Sequence, residues 1–249
     1  MKKILSLALV AVSLFALTNE EVAKKSDEVT SGFKSSSSTL IMTLINQSGE
    51  QTVRQMRGKT LEKSGGDKSL IEFISPADVK GTKLLTYEHI GGDDDQWLYL
   101  PALKRVKRIA SSNKSGSFMG SEFSYEDISN PNYKKFSYPG SLSEESFNGK
   151  VCYKGVRIPE YANSGYTKEI SWIDKKNFLV QKVEYFDRKS ELLKTAIFSD
   201  YKKIGGVWRT GKIVMTNHQS GKKTILEWRD DKVNVGLSGS DFTKRVLKR

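Results

Sequence analysis

Apolar and polar residues alternate along most of the chain after residue 40, with short turn sequences between the alternating runs. A period of two is typical of β-strands, and clusters of Gly, Pro, Asn and Asp between such runs indicate turns. The pattern therefore predicts about ten or eleven strands in a meandering antiparallel sheet. The clearest runs are "SLIEFIS", "GTKLLTYEH", "DQWLYL", "RVKRIA", "EISWID", "FLVQKVEYFD" and "KTILEWRD".

One substantial helix is predicted, at about residues 18–31, ahead of the strands. Thr18 and Glu21 have the spacing of a capping box, and apolar residues follow at roughly helical intervals. The serine run Ser35–Ser38 is interpreted as a connector. A long irregular insertion is predicted from about residue 110 to residue 150, and the tail "DFTKRVLKR" starts with residues that favour a short helix.

Several predicted strands carry bulky apolar residues on both faces. Trp97 and Tyr99 alternate with leucines, for example, so that neither face of that strand is polar. A sheet with one solvated face does not need so many apolar residues, and a sheet of about ten strands tends to curl. We therefore expect an incompletely closed sheet around an apolar hollow that suits a lipid chain, with a fully packed core as the alternative. The predicted cavity residues are Met42, Leu44, Phe73, Leu85, Trp97, Tyr99, Trp172, Val183, Tyr185 and Met215.

A basic strand follows the aromatic one. The turn Pro101–Lys104 predicts a hairpin with Trp97 and Tyr99 on one face, as part of the cavity floor. Long cationic side chains can lie over apolar surface at a rim and keep their charges in water, where lipid phosphate is a suitable target. A basic strand that is simply solvated is the alternative. The predicted rim cations are Arg54, Arg57, Arg105, Lys107 and Arg108.

A glycine- and serine-rich stretch, "SSNKSGSFMGSEFSYED", comes next. Long loops of this kind are usually functional or disordered. We interpret residues 110–127 as a mobile flap over the cavity, with an apolar underside and a short helix capped by Ser124 and Asp127 at its end. The residues assigned to the flap are Gly116, Phe118, Met119, Gly120 and Phe123.

The N-terminal residues predict export from the cytoplasm. Lys2 and Lys3 precede the apolar run Ile4–Leu17, which is typical of a signal peptide and short for a membrane span. We therefore predict a signal peptide at residues 1–17 and a single mature domain at residues 18–249. The formal net charge of +12 favours anionic partners such as nucleic acid, acidic phospholipid or an acidic protein.

The residues do not suggest an enzyme. His89 and His218 are the only histidines, without metal-ligand spacing around them, and the Asp93–Asp95 run lacks the glycine and glutamate of an EF-hand loop. Cys152 is the only cysteine and is interpreted as a small strand residue. No catalytic residue, cofactor or metal is therefore predicted, and export argues against the nucleic-acid class that the charge would allow.

Five segments together resemble the outer membrane lipoprotein-sorting protein family, whose members have a LolA/LolB-like fold. They are "PADVKGTKLL", "DDQWLYLPALKRVKRI", "SGSFMGSEFSYEDI", "GYTKEISWID" and "DFTKRVL". The resemblance covers about residues 20–247. It implies an open, half-closed antiparallel barrel covered by helices and loops, and a periplasmic carrier of lipidated proteins or other lipids. It also implies that an arginine on an early strand controls a lid, for which Arg54 and Arg57 are the candidates.

Partners follow from the same resemblance. Lipoprotein acyl chains or other lipids are the expected cargo of a monomeric carrier that contacts membrane surfaces transiently. A resistance-nodulation-division (RND) transporter in the inner membrane is a further expected partner. The alternative function is a periplasmic adaptor of such a transporter that never carries lipid, and a basic nucleic-acid-binding module ranks behind both.

Overall fold

The structure, a computed structural model, describes residues 16–129 and 132–249 of the chain. Residues 1–15, which hold most of the predicted signal peptide, lie outside the described residues. The two α-helices among these residues are α1 (Asn19–Thr30) and α2 (Tyr125–Ile128). The sixteen strands of the described part are β1 (Ser35–Ile45), β2 (Gln51–Leu61), β3 (Lys68–Ser75), β4 (Lys83–Tyr87), β5 (Asp95–Leu100), β6 (Arg105–Ile109), β7 (Phe136–Ser137), β8 (Ser143–Phe147), β9 (Lys150–Pro159), β10 (Lys168–Asp174), β11 (Val180–Phe186), β12 (Leu192–Ser199), β13 (Lys202–Ile204), β14 (Val207–Arg209), β15 (Lys212–Asn217) and β16 (Lys223–Val233).

Fourteen of these strands form one antiparallel sheet. Its order is β6-β5-β4-β3-β2-β1-β16-β15-β12-β11-β10-β9-β7, and β8 also pairs with β9. The first and last strands do not meet, so the sheet is an open half-barrel, which confirms the predicted fold class. The strand count exceeds the predicted ten or eleven because the insertion contributes β7 and β8, and because the "KKIGG" turn lies inside a separate hairpin of β13 and β14.

Helix α1 packs against the concave face of the sheet. Its capping box is confirmed: the Thr18 side chain accepts from the backbone of Glu21, whose carboxylate accepts from the Thr18 backbone. Asn19 Nδ2 donates to the Val156 carbonyl at 2.6 Å. A Cβ at Gly155 would lie 2.2 Å from Asn19 Oδ1, so only glycine lets the helix approach β9 this closely. Helix α1 thereby covers one end of the half-barrel.

The serine run Ser35–Ser38 is not a connector, contrary to the sequence interpretation. It is the beginning of β1, paired with β2 from Ser35 opposite Leu61 to Ser38 opposite Gly58. Strand β16 pairs with the other side of the same segment. Backbone ladders on both sides hold it extended, although serine has no strong preference for strands.

Two apolar cores lie on the two faces of the sheet. The main core is on the concave face and includes Leu40, Met42 and Met56. The outer core lies on the convex face, where Phe242 and Leu247 of the C-terminal segment pack onto the sheet. That segment consists of the 3₁₀ turns Gly239–Phe242 and Lys244–Lys248 in place of the predicted helix. Within residues 16–129 and 132–249, no helix has the length and apolarity that a membrane span requires.

Candidate ligand cavity

A cavity of about 1040 Å³ occupies the concave side of the half-barrel. Its walls come from the inward faces of the central strands, with α1 and β14 at one end and the flap at the other. Typical small-molecule sites measure roughly 300–1,000 Å³, so this cavity is as large as a large ligand site. The apolar lining includes Leu40, Met42, Met56, Ile71, Val183, Phe198, Ile213, Leu226 and Trp228.

Small residues on the inward face leave the cavity its space. Ser36 and Ser38 of β1 line it, and Gly58 lies opposite Ser38 on β2. A Cβ at Gly58 would stand 2.9 Å from Leu40 Cδ1 and 3.2 Å from Ser38 Oγ, so any larger residue there would displace its neighbours. Ser69 and Ser171 continue the set on β3 and β10. The hollow therefore results from small side chains at positions where a packed half-barrel would carry large ones.

The flap closes the cavity at the end away from α1. Phe118 and Phe123 line the cavity and are buried, and their backbones are joined by a hydrogen bond of 2.8 Å. The Phe118 ring packs against Phe73 and Tyr125, with centroid distances of 5.8 and 5.6 Å. These rings form an aromatic floor at the flap end.

Polar contacts fasten the flap to the sheet. Lys194 Nζ lies 2.5 Å from Asp127 Oδ2, and both side chains are almost fully buried. Tyr166 donates its hydroxyl to the other oxygen of Asp127 at 2.8 Å. The Glu122 amide donates to Thr224 Oγ1 at 2.9 Å. Opening the flap therefore requires breaking a buried charge pair together with several hydrogen bonds.

Glu126, at the end of the flap, is a second buried carboxylate. It accepts hydrogen bonds from Tyr161, Ser164 and the Gly165 amide, at 3.2, 2.9 and 2.9 Å. Burial, and then the charge of Asp127, raises its pKa to about 7, although these hydrogen bonds favour the ionised form. The flap end thus carries a group that changes charge near neutral pH.

Carboxylates also surround the α1 end of the cavity, which we call the mouth. Asp27, Glu62, Asp67 and Glu88 all line it. Burial raises the pKa of Asp27 to about 6 and that of Asp67 to about 7, and the charge of Glu88 adds to both shifts. The two Glu62 oxygens accept from the amides of Gly32 and Lys34, at 2.8 and 2.6 Å. Glu62 therefore ties the α1–β1 connection to the end of β2.

A comparison with solved structures shows what the chain resembles. It is 48% identical to a domain named for outer membrane lipoprotein sorting, from Vibrio parahaemolyticus, over 93% of this chain and 98% of that one, with a TM-score of 0.89. The chain belongs to the outer membrane lipoprotein-sorting protein family. A DUF1329 family protein from Desulfovibrio piger is 32% identical, with 92% and 97% of the two chains covered and a TM-score of 0.86.

A more distant solved structure shows the same fold. A LolA superfamily protein from Nitrosomonas europaea shares the fold, with a TM-score of 0.76 at 21% identity, over 93% of this chain and 100% of that one. The family model that matches, described as "Uncharacterized protein", spans residues 65–249. No curated protein sequence matches the chain. The chain therefore has the carrier-type fold of the lipoprotein-sorting family.

The structure distributes the predicted cavity residues over both faces of this lipoprotein-sorting fold. Met42 and Val183 line the cavity. Phe73, Tyr185 and Met215 are buried in the main core on the same concave face, and Leu44 packs against that core. They support the cavity wall without facing its space.

The remaining four predicted cavity residues lie on the convex face. Leu85, Trp97 and Tyr99 belong to the outer core beneath the C-terminal segment. Trp172 alternates with the cavity residue Ser171 and therefore points outward. Its ring lies under the ammonium groups of the two directly paired residues, Lys182 at 3.4 Å and Lys154 at 4.8 Å. These aromatic residues therefore do not form the cavity floor.

The predicted rim cations occupy three different environments. Arg54 is half-buried beside the flap, where its guanidinium donates to the Met119 carbonyl. Arg57 is exposed on the convex face, 3.9 Å from Glu72. The three cations of β6 are exposed at the sheet edge, and Arg108 is paired with Asp95 at 2.5 Å. None of these five residues lines the cavity described above.

Every residue assigned to the flap lies in one compact loop. The cap of its short helix α2 is confirmed, with Ser124 and Asp127 bonded reciprocally. Met119 packs against the main core, whereas Gly116 and Gly120 are exposed. Met119 and Gly120 have φ angles of +51° and +76°, which form the sharp turn at the tip. Mobility of the flap stays a prediction.

Proposed function

We propose that the protein is a periplasmic carrier that holds acyl chains of lipidated proteins, or of another lipid, in its cavity and moves them between membranes. The observation that carries this proposal is the cavity of about 1040 Å³ between the sheet, α1 and the flap, whose strand wall carries apolar side chains. The carrier-type fold supports it, as does the relative named for outer membrane lipoprotein sorting, which also favours the periplasm.

The energetics explain why a shielded hollow is useful. Each methylene moved from water to an apolar site is worth about 0.8 kcal/mol, so an acyl chain of about 16 carbons costs on the order of 10 kcal/mol to expose. Contact with the apolar lining, which includes Leu40, Met56 and Leu226, offsets part of that cost. The transfer consists of binding and release, with no covalent bond made or broken.

Arg54 is the arginine that we propose as the latch of the flap. Its guanidinium lies 5.9 Å from the centre of the Phe73 ring and donates to the Met119 carbonyl at the flap tip. Burial lowers its pKa, and the charge of Asp78 opposes that shift. Arg57 has no such contact, since its side chain lies on the convex face. We propose that release of the Arg54 bond accompanies the entry of a long acyl chain.

A pair of matched tryptophan variants tests the carrier proposal. Ser38 lines the cavity, whereas the next residue, Thr39, points to the convex face beside Arg57. Ser38→Trp places an indole ring inside the cavity and is expected to weaken binding of a fluorescent C16 fatty acid by about tenfold, since several methylenes lose their site. Thr39→Trp adds the same side chain outside and is expected to bind as the wild type does. Equal affinity of all three proteins, or no binding by the wild type, would contradict the proposal.

A further inference from the structure

A basic surface with an exposed leucine lies at the end of the sheet opposite the mouth. Leu103, in the turn between β5 and β6, is 63% exposed, the most exposed large apolar side chain among the described residues. Lys104, Arg105 and Lys107 follow it and are also exposed. Strand β4 runs from Lys83 at this end towards the mouth, so the surface and the mouth are separated by the length of a strand.

The C-terminal segment adds cations to the same end. Lys83 Nζ donates to the backbone oxygens of Val246 and Arg249, at 3.2 and 2.5 Å. Lys83 is paired with Tyr99 of β5, shortly before the hairpin turn. Lys248 and Arg249, both exposed, therefore lie at the same end of the sheet as the turn. Arg105 and Lys107 alternate with Val106 of the outer core and therefore lie on the concave side of β6, whereas Lys248 and Arg249 lie on the convex side. The two groups flank the same turn, and we call Leu103, Lys104, Arg105, Lys107, Lys248 and Arg249 together the basic hairpin surface.

The charges of this surface are uncompensated. None of its five cations forms an ion pair with any residue in the described part of the chain, whereas the neighbouring Arg108 is paired with Asp95. Such a surface attracts anions, and each cation close to an anionic bilayer strengthens binding several-fold.

Protection of the sheet edge explains only part of this surface. Strand β6 is a free edge of the sheet, and charged residues on an edge prevent pairing with other chains. An exposed leucine at the tip works against that purpose, and Lys248 and Arg249 lie outside the edge strand. A protruding apolar side chain among cations instead matches an interfacial contact, in which the apolar group enters the bilayer and the cations reach phosphates.

We infer that the basic hairpin surface docks the protein on anionic phospholipid membranes, with Leu103 inserted at the interface. The exposed leucine favours a bilayer over an acidic protein, because the free energy gained by burying its side chain is largest where acyl chains are accessible. Docking through this end leaves the mouth facing away from the bilayer surface. The inference does not depend on lipid binding in the cavity.

Co-sedimentation with vesicles tests this inference. Vesicles of equal parts phosphatidylglycerol and phosphatidylcholine are compared with pure phosphatidylcholine at low salt. The wild type is expected to sediment with the anionic vesicles alone. Arg105→Gln/Lys107→Gln and Leu103→Ser are each expected to weaken this binding by about tenfold. The matched controls are Lys202→Gln/Lys203→Gln on the hairpin of β13 and β14, and Val151→Ser, which removes another exposed apolar side chain.

Several results would overturn the inference. One is a wild type that fails to sediment with the anionic vesicles, and retention on polyglutamate in that case would indicate an acidic protein partner. Another is an equal loss of binding in the controls and the hairpin variants. A third is a variant Arg105→Gln/Lys107→Gln that self-associates while its vesicle binding is unchanged. That result would mean that the cations of β6 serve to protect the sheet edge. Ser38→Trp is expected to keep full vesicle binding, so failure of the carrier proposal is distinguishable from failure of this one.

Discussion

The buried pair of Lys194 and Asp127 gives the sharpest test of how the flap is held. The two side chains are 4% and 5% exposed, and their charged atoms are 2.5 Å apart. Lys194 also donates to the Glu122 carbonyl at 3.0 Å, so it reaches two points of the flap. We expect Lys194→Met to leave the Asp127 carboxylate buried without its counter-charge.

The magnitude follows from burial. Removing one partner of a buried pair costs about 3–5 kcal/mol, because the remaining charge stays desolvated. The pair of Lys24 and Glu28 on α1 has the same chemistry, but its side chains are 56% and 57% exposed. Lys24→Met is therefore expected to cost about 0.5 kcal/mol or less. Lys194→Met/Asp127→Asn is expected to recover part of the loss, since it removes the unpaired charge.

Urea denaturation at pH 7, followed by tryptophan fluorescence and circular dichroism, measures these free energies of unfolding. The expected order of stability is wild type, Lys24→Met, the double variant and then Lys194→Met. A loss of less than 1 kcal/mol in Lys194→Met would refute the reasoning, because it would mean that solvent reaches the pair. A double variant less stable than Lys194→Met would contradict the charge argument as well.

Three further predictions concern the flap. The pKa of Glu126 is raised to about 7, so its contribution to stability is present at low pH and is lost as the pH rises from its unfolded value through 7. Glu126→Gln should therefore reduce the loss of unfolding free energy between pH 5 and pH 8 by on the order of 1–3 kcal/mol, and an unchanged pH profile would contradict this. Arg54→Leu should speed amide hydrogen exchange at residues 116–123 by about tenfold, since a hydrogen bond from a charged donor is lost. Arg57→Leu is the matched control, and equal exchange rates in both variants would exclude Arg54 as the latch. In the wild type, bound lipid should slow amide hydrogen exchange across residues 110–127.

Local patterns in the sequence predict most of the architecture. The turn Pro101–Lys104 is a tight connection, and β5 and β6 pair across it as predicted. The capping boxes at Thr18 and Ser124 are confirmed because each depends on residues three positions apart. Such signals are readable because the interactions that they describe are local.

The assignment of faces is harder to derive from a single sequence. Alternation shows that Trp97 and Tyr99 share a face, but it does not show which face is concave. Here both faces of β5 are apolar, because the C-terminal segment covers the convex side with Phe242 and Leu247. A contact between residues about 145 positions apart in the chain has no local signal. The aromatic residues therefore pack in the outer core and not in the cavity.

The cavity itself is marked by small residues that attract little notice in a sequence. Ser36 and Ser38 belong to the serine run at the start of β1, Gly58 lies opposite Ser38 on β2, and all three line the cavity. A glycine in the middle of a strand and a serine run at the start of another are the signals that would have identified this wall. The search for large apolar residues instead selected mainly residues that are packed in the main and outer cores.

The central claim is that the concave side of the half-barrel holds acyl chains. Native mass spectrometry of protein purified from the periplasm without detergent tests it most directly, with the extracted lipids identified in parallel. We predict co-purified acyl species that are retained by Thr39→Trp and depleted in Ser38→Trp. An empty wild-type protein, or acyl species that persist equally in Ser38→Trp, would contradict the account.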